Sequence, residues 1–239
     1  DCNGNTACKL QYVSHEIYKG KKKLKGLPCT FGDENECTTL EINCIDKDLN
    51  LEVVLIYTVF ENLDVITRSV KAKNLNSEKI KLTKILSMSL DFEGIDYDMI
   101  SLNGSWARER YINRRKVTYG TQSIGSVRGE SSSQDSPFIA LLDSGANDEY
   151  GEVYGFNFVY SGNFISMVQG CQGNTTRVLM GINPSDFEWV LETGDEFVAP
   201  EVVMVHSSKG IGEMTRTFHD LYRNHLLRGK YKDKKRPIL

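Results

Sequence analysis

The sequence has 239 residues with a formal net charge of −3, and 40% of its residues are hydrophobic against 26% charged. This composition is typical of a folded globular protein and excludes an intrinsically disordered chain. No stretch of about 18 uncharged apolar residues is present, so we expect no membrane-spanning helix. The nearly balanced charge offers no electrostatic basis for nucleic-acid binding.

The cysteines do not form a zinc or redox motif, because no two of the six have the C-x-x-C spacing. A chain of this length needs no disulfide framework, and we recognise no secretory signal sequence. We therefore expect free thiols and a cytoplasmic location. Since the sequence begins with Asp1 and ends at Leu239 directly after a basic stretch, we also expect it to be part of a longer protein.

The first 35 residues are polar and are predicted to be irregular. They contain the basic run Lys21-Lys22-Lys23, which we interpret as a solvated loop. From Thr38 onward, alternating apolar and polar residues predict a half-buried strand. The following strand, 52–60, has apolar or β-branched residues on both faces, so we expect it to be central in a sheet and covered on both sides.

Further strands are predicted along the rest of the chain, separated by clusters of turn-forming residues. They cover 65–73, 81–92, 138–142, 151–160, 163–168, 176–180, 187–191 and 201–206. Hairpin turns are predicted at Ser161-Gly162-Asn163 and at Gly173-Asn174-Thr175. The regular spacing of these strands is typical of an antiparallel β-sandwich or barrel.

One segment near the C-terminus has helical periodicity. Apolar and aromatic residues between Met214 and His225 recur at intervals that place them on one face of a helix. Gly229 is predicted to be the C-cap of this helix. We therefore predict a β domain over residues 1–208, a helix over 209–229 and a basic linker over 230–239.

Residues with catalytic potential are few. The four histidines are scattered without metal-ligand spacing, so we expect no metal site and no cofactor. A pair of carboxylates can hydrolyse a glycosidic bond, but we interpret the acidic cluster after the strand 81–92 as a solvated loop, because exposed acids are common. That cluster comprises Asp91, Glu93, Asp96 and Asp98.

The two tryptophans lie in different contexts. Trp106 is in a polar segment and is followed by Arg108, Glu109 and Arg110. This pattern fits a tryptophan packed at a sheet edge beside surface ion pairs. It also fits an exposed indole that stacks on a sugar, with guanidinium groups beside it as donors. Trp189 occurs within an alternating apolar segment, and we expect it to lie in the core.

The segment Gly104-Ser105-Trp106-Ala107-Arg108-Glu109-Arg110 resembles the G-A/S-W-x-R-E-R motif of bacterial α-galactosidases of glycoside hydrolase family 36. Other motifs fit the N-terminal region of that family across nearly all of the chain. They include Tyr12-Val13-Ser14-His15, Asp64-Val65-Ile66-Thr67-Arg68-Ser69, Tyr160-Ser161-Gly162-Asn163-Phe164 and Pro200-Glu201-Val202-Val203.

The resemblance implies a mainly β fold, an antiparallel β-supersandwich like that of galactose mutarotases, with the C-terminal amphipathic helix leading to a (β/α)8 barrel. In that family the barrel carries both catalytic aspartates, which act by the retaining double-displacement route. No residue here matches either catalytic motif. We therefore expect no catalytic residue in this chain and no activity from it alone.

The resemblance implies a substrate-binding role for Trp106, which in the family reaches the galactose pocket across a subunit boundary. Arg108 and Arg110 are further candidate substrate-binding residues, because they are placed to order the same loop. The implied partners are α-galactosides of the melibiose and raffinose type and other copies of the chain, with no nucleic acid and no membrane. The alternatives are a carbohydrate-binding module and a purely structural interface domain.

Overall fold

The largest element of the fold is a ten-stranded antiparallel sheet, seen in a computed structural model that describes residue 4 and residues 6–237. The strands of this sheet are β1 (Gln11–Lys19), β2 (Cys37–Asp46), β3 (Leu51–Phe60), β4 (Val65–Asn74), β7 (Tyr97–Ser105), β8 (Arg108–Lys116), β10 (Asp135–Asp143), β11 (Val153–Phe158), β15 (Glu196–Val198) and β16 (Val202–Ser207). Their order across the sheet is β1-β2-β3-β4-β16-β11-β10-β7-β8, and β15 pairs with β4 beside this path.

Two smaller antiparallel sheets cover one face of the large sheet. One consists of β12 (Phe164–Cys171), β13 (Thr175–Ile182) and β6 (Leu86–Glu93), and the other of β14 (Trp189–Leu191) and β5 (Ile80–Leu82). A further strand, β9 (Gly120–Ser126), lies beside β12. The buried side chains of β10 alternate: Ile139 and Leu141 contact the cluster of the three-stranded sheet, whereas Ala140 and Leu142 face the opposite side.

The one α-helix among the described residues, α1 (Gly210–Leu221), covers that opposite side, and a π-helical turn continues it over Tyr222–Leu226. Met214, Phe218 and Leu221 of α1 are buried in the same cluster as Ala140 and Leu142. Gly155 on β11 permits this contact, because a Cβ atom there would lie only 2.5 Å from Cε2 of Phe218. The large sheet is thus enclosed by strands on one side and by the helix on the other.

The prediction of a mainly antiparallel β fold with one C-terminal helix is confirmed. The hairpin at Gly173-Asn174-Thr175 is also confirmed, since β12 and β13 pair directly across it. The central position of 52–60 is confirmed as well, because β3 lies between β2 and β4. The burial of β3 is incomplete near its C-terminal end, where Val59 is exposed.

The prediction that the first 35 residues are irregular is wrong for 11–19, which form β1 at one edge of the large sheet. The strand is hidden from pattern reasoning because almost all of its side chains are exposed on both faces, so no alternation marks it. The solvated-loop interpretation of the basic run is wrong for Lys21, whose side chain is buried against Glu201. Lys22 and Lys23 are exposed as expected.

Three local predictions also need correction. The single strand 81–92 is two strands, β5 and β6, because the chain passes from one small sheet to the other between them. Ser161-Gly162-Asn163 is not a hairpin, since it joins β11 of the large sheet to β12 of a smaller one. Gly229 is not the C-cap, because the helical segment ends at Leu226 and the N–H of Leu227 donates to the carbonyl of Tyr222 at 2.9 Å.

Candidate functional site

Trp106 lies at the tip of the hairpin formed by β7 and β8, at the edge of the large sheet. Ser105 and Arg108 are the last paired residues, so Trp106 and Ala107 alone make the turn. Ala107 has a positive φ of 60°, and its N–H donates to Oε1 of Glu109 at 2.8 Å. The backbone and a neighbouring carboxylate therefore hold the turn, and the indole is not needed for that.

A β-bulge follows the turn on β8. The register shifts between the pairs Asn103–Tyr111 and Ser105–Arg108, and Arg110 takes a positive φ of 62°. Gly104 lies opposite the bulge, where a Cβ atom would overlap the carbonyl oxygen of Arg108. The bulge therefore depends on glycine at this position.

The neighbouring strand β10 anchors the base of the hairpin. Asn103 accepts a hydrogen bond from the Ser101 hydroxyl at 2.6 Å and donates its amide N–H to the carboxylate of Asp135. The N–H of Gly104 donates to the carbonyl of Gln134 at 2.9 Å. The hydrogen bonds to Gln134 and Asp135 thus fix β7 below the turn, and the tip of the hairpin projects beyond this fixed part.

The structure leaves the indole of Trp106 outside the protein, with 87% of the residue exposed. Arg108 and Arg110 are exposed as well, and neither side chain has a hydrogen bond or ion pair within residues 6–237. The surface ion pairs expected from the sheet-edge interpretation are therefore not formed. Glu109, their supposed partner, caps the turn instead.

The three candidate residues do not share any of the larger grooves in the described part of the chain. Arg110 lines a groove of about 570 Å³ that runs between the large sheet and α1, and neither Trp106 nor Arg108 lines it. Phe138, Phe218 and Tyr222 form much of the apolar wall of that groove. A sugar pocket around Trp106 would therefore need walls supplied by another part of the protein or by a second chain.

Trp189 is not in the core as predicted, because half of the residue is exposed. It begins the three-residue strand β14, whose last residue, Leu191, is fully buried. The indole packs against Phe197 in a T-shaped contact, with ring centroids 5.3 Å apart. The two-stranded sheet is too short to cover the beginning of β14, so only the end of this strand is buried.

The carboxylate cluster is divided between two strands and the short loop that joins them, so the prediction of a solvated loop holds only for Asp96, which lies between β6 and β7. Asp91 lies on β6 and makes a two-pronged contact with Arg177 at 2.7 and 2.8 Å, which lowers the pKa of the carboxyl. Asp98 on β7 pairs with Arg114 at 2.7 Å, and Asp96 pairs with Lys116 at 3.0 Å. Each of these three acids is neutralised by its own cation, which does not suit a glycosidase acid–base pair.

Metal-binding side chains do not converge either. Among the residues that the structure describes, no group of three or more histidines, cysteines or acids could hold a metal ion. Five cysteines are free thiols, namely Cys8, Cys29, Cys37, Cys44 and Cys171, while Cys2 lies outside the described residues. Over the same described range, no helix is long and apolar enough to span a membrane.

Comparison with known proteins supports the resemblance seen in the sequence. The model of the glycosyl hydrolase family 36 N-terminal domain matches residues 1–192, and the melibiase model matches residues 196–239. The α-galactosidase AgaA of Geobacillus stearothermophilus is 51% identical over 99% of this chain and 33% of its own length. A probable α-galactosidase C of Aspergillus terreus is 43% identical over 99% of this chain and 32% of its own length.

Solved structures match equally closely. The crystal structure of AgaA superposes with a TM-score of 0.97, covering 99% of this chain and 33% of that one. The α-galactosidase of Lactobacillus brevis, at 38% identity, gives a TM-score of 0.96 over 99% of this chain and 32% of that one. The chain thus spans about a third of the length of the relatives it matches. It belongs to the glycosyl hydrolase family 36 N-terminal domain family.

Proposed function

We propose that this chain is the non-catalytic N-terminal part of a cytoplasmic α-galactosidase, and that the complete enzyme hydrolyses terminal α-galactosides with retention. The observation that carries this proposal is the match to AgaA over 99% of the chain but only a third of that enzyme. AgaA variants have been solved with raffinose and with stachyose, both α-galactosides. The free thiols of the described cysteines favour the reducing compartment.

The proposal divides the chain into a β domain at residues 1–208, a segment at 209–229 that contains the helix, and a linker at 230–239 that leads to a catalytic barrel. Its direct test compares the 239-residue chain with the full-length enzyme on p-nitrophenyl α-galactoside. We expect turnover by the full-length enzyme and none by the chain. Turnover by the chain would contradict the proposal, because the proposal assigns both catalytic aspartates to the barrel.

Trp106 is proposed to contribute its indole to the galactose pocket of a neighbouring subunit, with Arg108 and Arg110 beside it. The exposure of Trp106 on a rigid hairpin supports this role, since an aromatic face of this kind stacks well on a pyranose ring. Trp106→Ala in the full-length enzyme should raise KM while leaving the melting temperature unchanged. An unchanged KM would favour the purely structural alternative.

Homo-oligomerisation is supported by the two edges of the large sheet. Within the part of the chain that the structure describes, the outer strands β1 and β8 each pair on one side alone and expose apolar side chains, which makes both edges suitable for protein contacts. These exposed side chains are Tyr12, Val13, Ile17, Tyr111 and Ile112. Light scattering on the full-length enzyme tests this: Ile17→Lys and Ile112→Lys should lower the molar mass, and an unchanged mass in both would contradict the role of the edges.

A further inference from the structure

A groove separate from the Trp106 hairpin lies beside Trp189 and has a volume of about 600 Å³. Four aromatic side chains line it: Tyr160, Phe187, Trp189 and Phe197. The ring of Phe197 makes T-shaped contacts with the rings of Phe187 and Trp189, with centroids 5.8 and 5.3 Å apart. The volume falls in the range of small-ligand sites, which are commonly lined by aromatic side chains.

The aromatic walls are held in place before any ligand arrives. The ring of Tyr160 lies so close over Gly162 that a Cβ atom there would be 2.5 Å from Cε1 of the ring. The next residue, Asn163, accepts a hydrogen bond from the N–H of Gly129 at 2.6 Å, which fixes the loop at the rim. Ligand binding would therefore cost little in ordering of the platform.

The rim carries polar groups with no partner of their own. Within the described part of the chain, no hydrogen bond or ion pair is made by the ammonium of Lys25, the carboxylate of Glu196, the hydroxyl of Tyr160 or the indole N–H of Trp189. Lys25 and the indole offer donors, Glu196 offers acceptors, and the Tyr160 hydroxyl offers both. An apolar partner would cover these groups without satisfying them, which is unfavourable.

We propose that this groove is a second carbohydrate-binding site, which takes one hexopyranose unit of an oligosaccharide. The C–H face of the ring would stack on Trp189, and the hydroxyl groups, which both donate and accept, would bond to Lys25, Glu196 and Tyr160. Such a site would hold an oligosaccharide on the enzyme without cleaving it. Trp106 does not line the groove. A negative result for this proposal therefore leaves the proposed role of Trp106 unaffected, and the reverse also holds.

The test uses the fact that the chain has only two tryptophans. In the 239-residue Trp106→Phe variant, Trp189 is the only tryptophan and reports on the groove. Titration with raffinose should change its emission saturably, with a dissociation constant on the order of 1–10 mM, as expected of a small, open site. Glycerol at the same osmolality should leave the emission unchanged. An absent or unsaturable response, or the same response to glycerol, would overturn the proposal.

Substitutions at the rim then locate the response. In the Trp106→Phe background, Lys25→Met and Glu196→Gln should each weaken raffinose binding by about fivefold or more. Lys23→Met and Glu192→Gln are the matched controls, because both residues are exposed, neither lines the groove, and neither side chain has a described partner. Equal weakening by targets and controls would contradict the proposed site.

A protein contact at the groove is the competing explanation, and light scattering distinguishes it. If Trp189→Phe lowers the molar mass of the chain and raffinose leaves the emission of Trp189 unchanged, the groove is an interface and the carbohydrate site is disproved. If the mass is unchanged and raffinose binds, the proposal is supported. The reciprocal variant, Trp189→Phe, leaves Trp106 as the only reporter and tests sugar binding at the hairpin separately.

Discussion

Lys21 and Glu201 form an ion pair inside the protein, with Nζ 2.6 Å from Oε2 and side chains only 3% and 0% exposed. The second carboxylate oxygen of Glu201 accepts hydrogen bonds from the backbone N–H and the hydroxyl of Thr30, both at 2.8 Å. Lys21 also donates to the hydroxyl of Thr67 at 3.2 Å. The pair thus fastens the loop between β1 and β2 to the large sheet.

Removal of one partner of this ion pair should strongly lower the stability of the fold, because the other charge then stays buried without an opposite charge beside it. We expect Lys21→Met to lower the free energy of unfolding of the 239-residue chain by about 3–5 kcal/mol. The double variant Lys21→Met with Glu201→Leu should recover part of that loss, since it removes both charges. Urea denaturation measures the three values.

The matched control is Lys22→Met. Lys22 is exposed, and its ammonium lies 3.4 Å from Glu41 at the surface. Its replacement should change the free energy of unfolding by less than about 1 kcal/mol. Equal losses from Lys21→Met and Lys22→Met would show that the buried pair contributes nothing beyond a surface contact.

Asp46 predicts a dependence of stability on pH. It is buried and accepts N–H bonds from Lys9 at 2.5 Å and from Asp48 and Leu49 at 3.0 Å. These bonds, that of Lys9 foremost, lower the pKa of the carboxyl below its ordinary 3.8. Since the folded pKa is the lower one, the carboxylate stabilises the fold above the unfolded pKa, and this contribution is lost as the pH falls through the folded pKa.

Asp46→Asn should therefore lower the free energy of unfolding at pH 7 by about 1–3 kcal/mol. The variant should also lose less stability than the parent when the pH is lowered from 5 to 3. Urea denaturation at several pH values measures both effects. Asp48→Asn is the control, because the side chain of Asp48 is 74% exposed; a similar loss from that variant would contradict the role of Asp46.

Gly104→Ala should disturb the hairpin that carries Trp106. The added methyl group would overlap the carbonyl oxygen of Arg108 and lie 2.8 Å from Cα of Glu109, both backbone atoms that cannot move independently. We expect a loss of about 1–3 kcal/mol in stability and faster amide hydrogen exchange in β8. Gly145→Ala is the control, since a Cβ atom there meets nothing within 4 Å. If Gly104→Ala leaves the rate of amide hydrogen exchange in β8 unchanged, the bulge does not depend on glycine at this position.

Phe218→Ala tests the attachment of α1 to the sheet. Phe218 is buried, and its ring packs against Phe138 with centroids 5.6 Å apart. The variant should lose about 3–5 kcal/mol in the free energy of unfolding, together with part of the helical circular dichroism. Leu227→Ala, at an exposed position beyond the helix, should change stability by less than about 1 kcal/mol. Similar losses in both variants would contradict the proposed packing.

Local pattern predicted most of the buried strands but missed β7, in which Met99, Ile100 and Ser101 are buried, and it missed the exposed strands β1 and β8. The strands β2 and β3 have apolar residues at regular intervals, so alternation reveals them. The edge strands β1 and β8 show almost no buried side chain, and only backbone pairing with their neighbours makes them strands. An exposed strand at the edge of a sheet therefore shows little hydrophobic alternation in its sequence.

The candidate site was also predicted only in part. The segment from Gly104 to Arg110 identifies Trp106 as a candidate residue, but its residue types are compatible with both a packed and an exposed indole. The exposure of Trp106 follows from the bulge opposite Gly104 and from the two-residue turn, which are set by pairing across two strands. The groove at Trp189 had no sequence signal, because it is assembled from residues far apart in the chain.

The sequence by itself determined the fold class, most of the buried strands, the helix near the C-terminus and the resemblance to family 36, because each rests on local pattern or local motif. Only the tertiary structure decided which lysine of the basic run is buried and which tryptophans are exposed. Such burial depends on what covers a residue, and for Lys21 the cover includes Glu201, which lies at the other end of the chain.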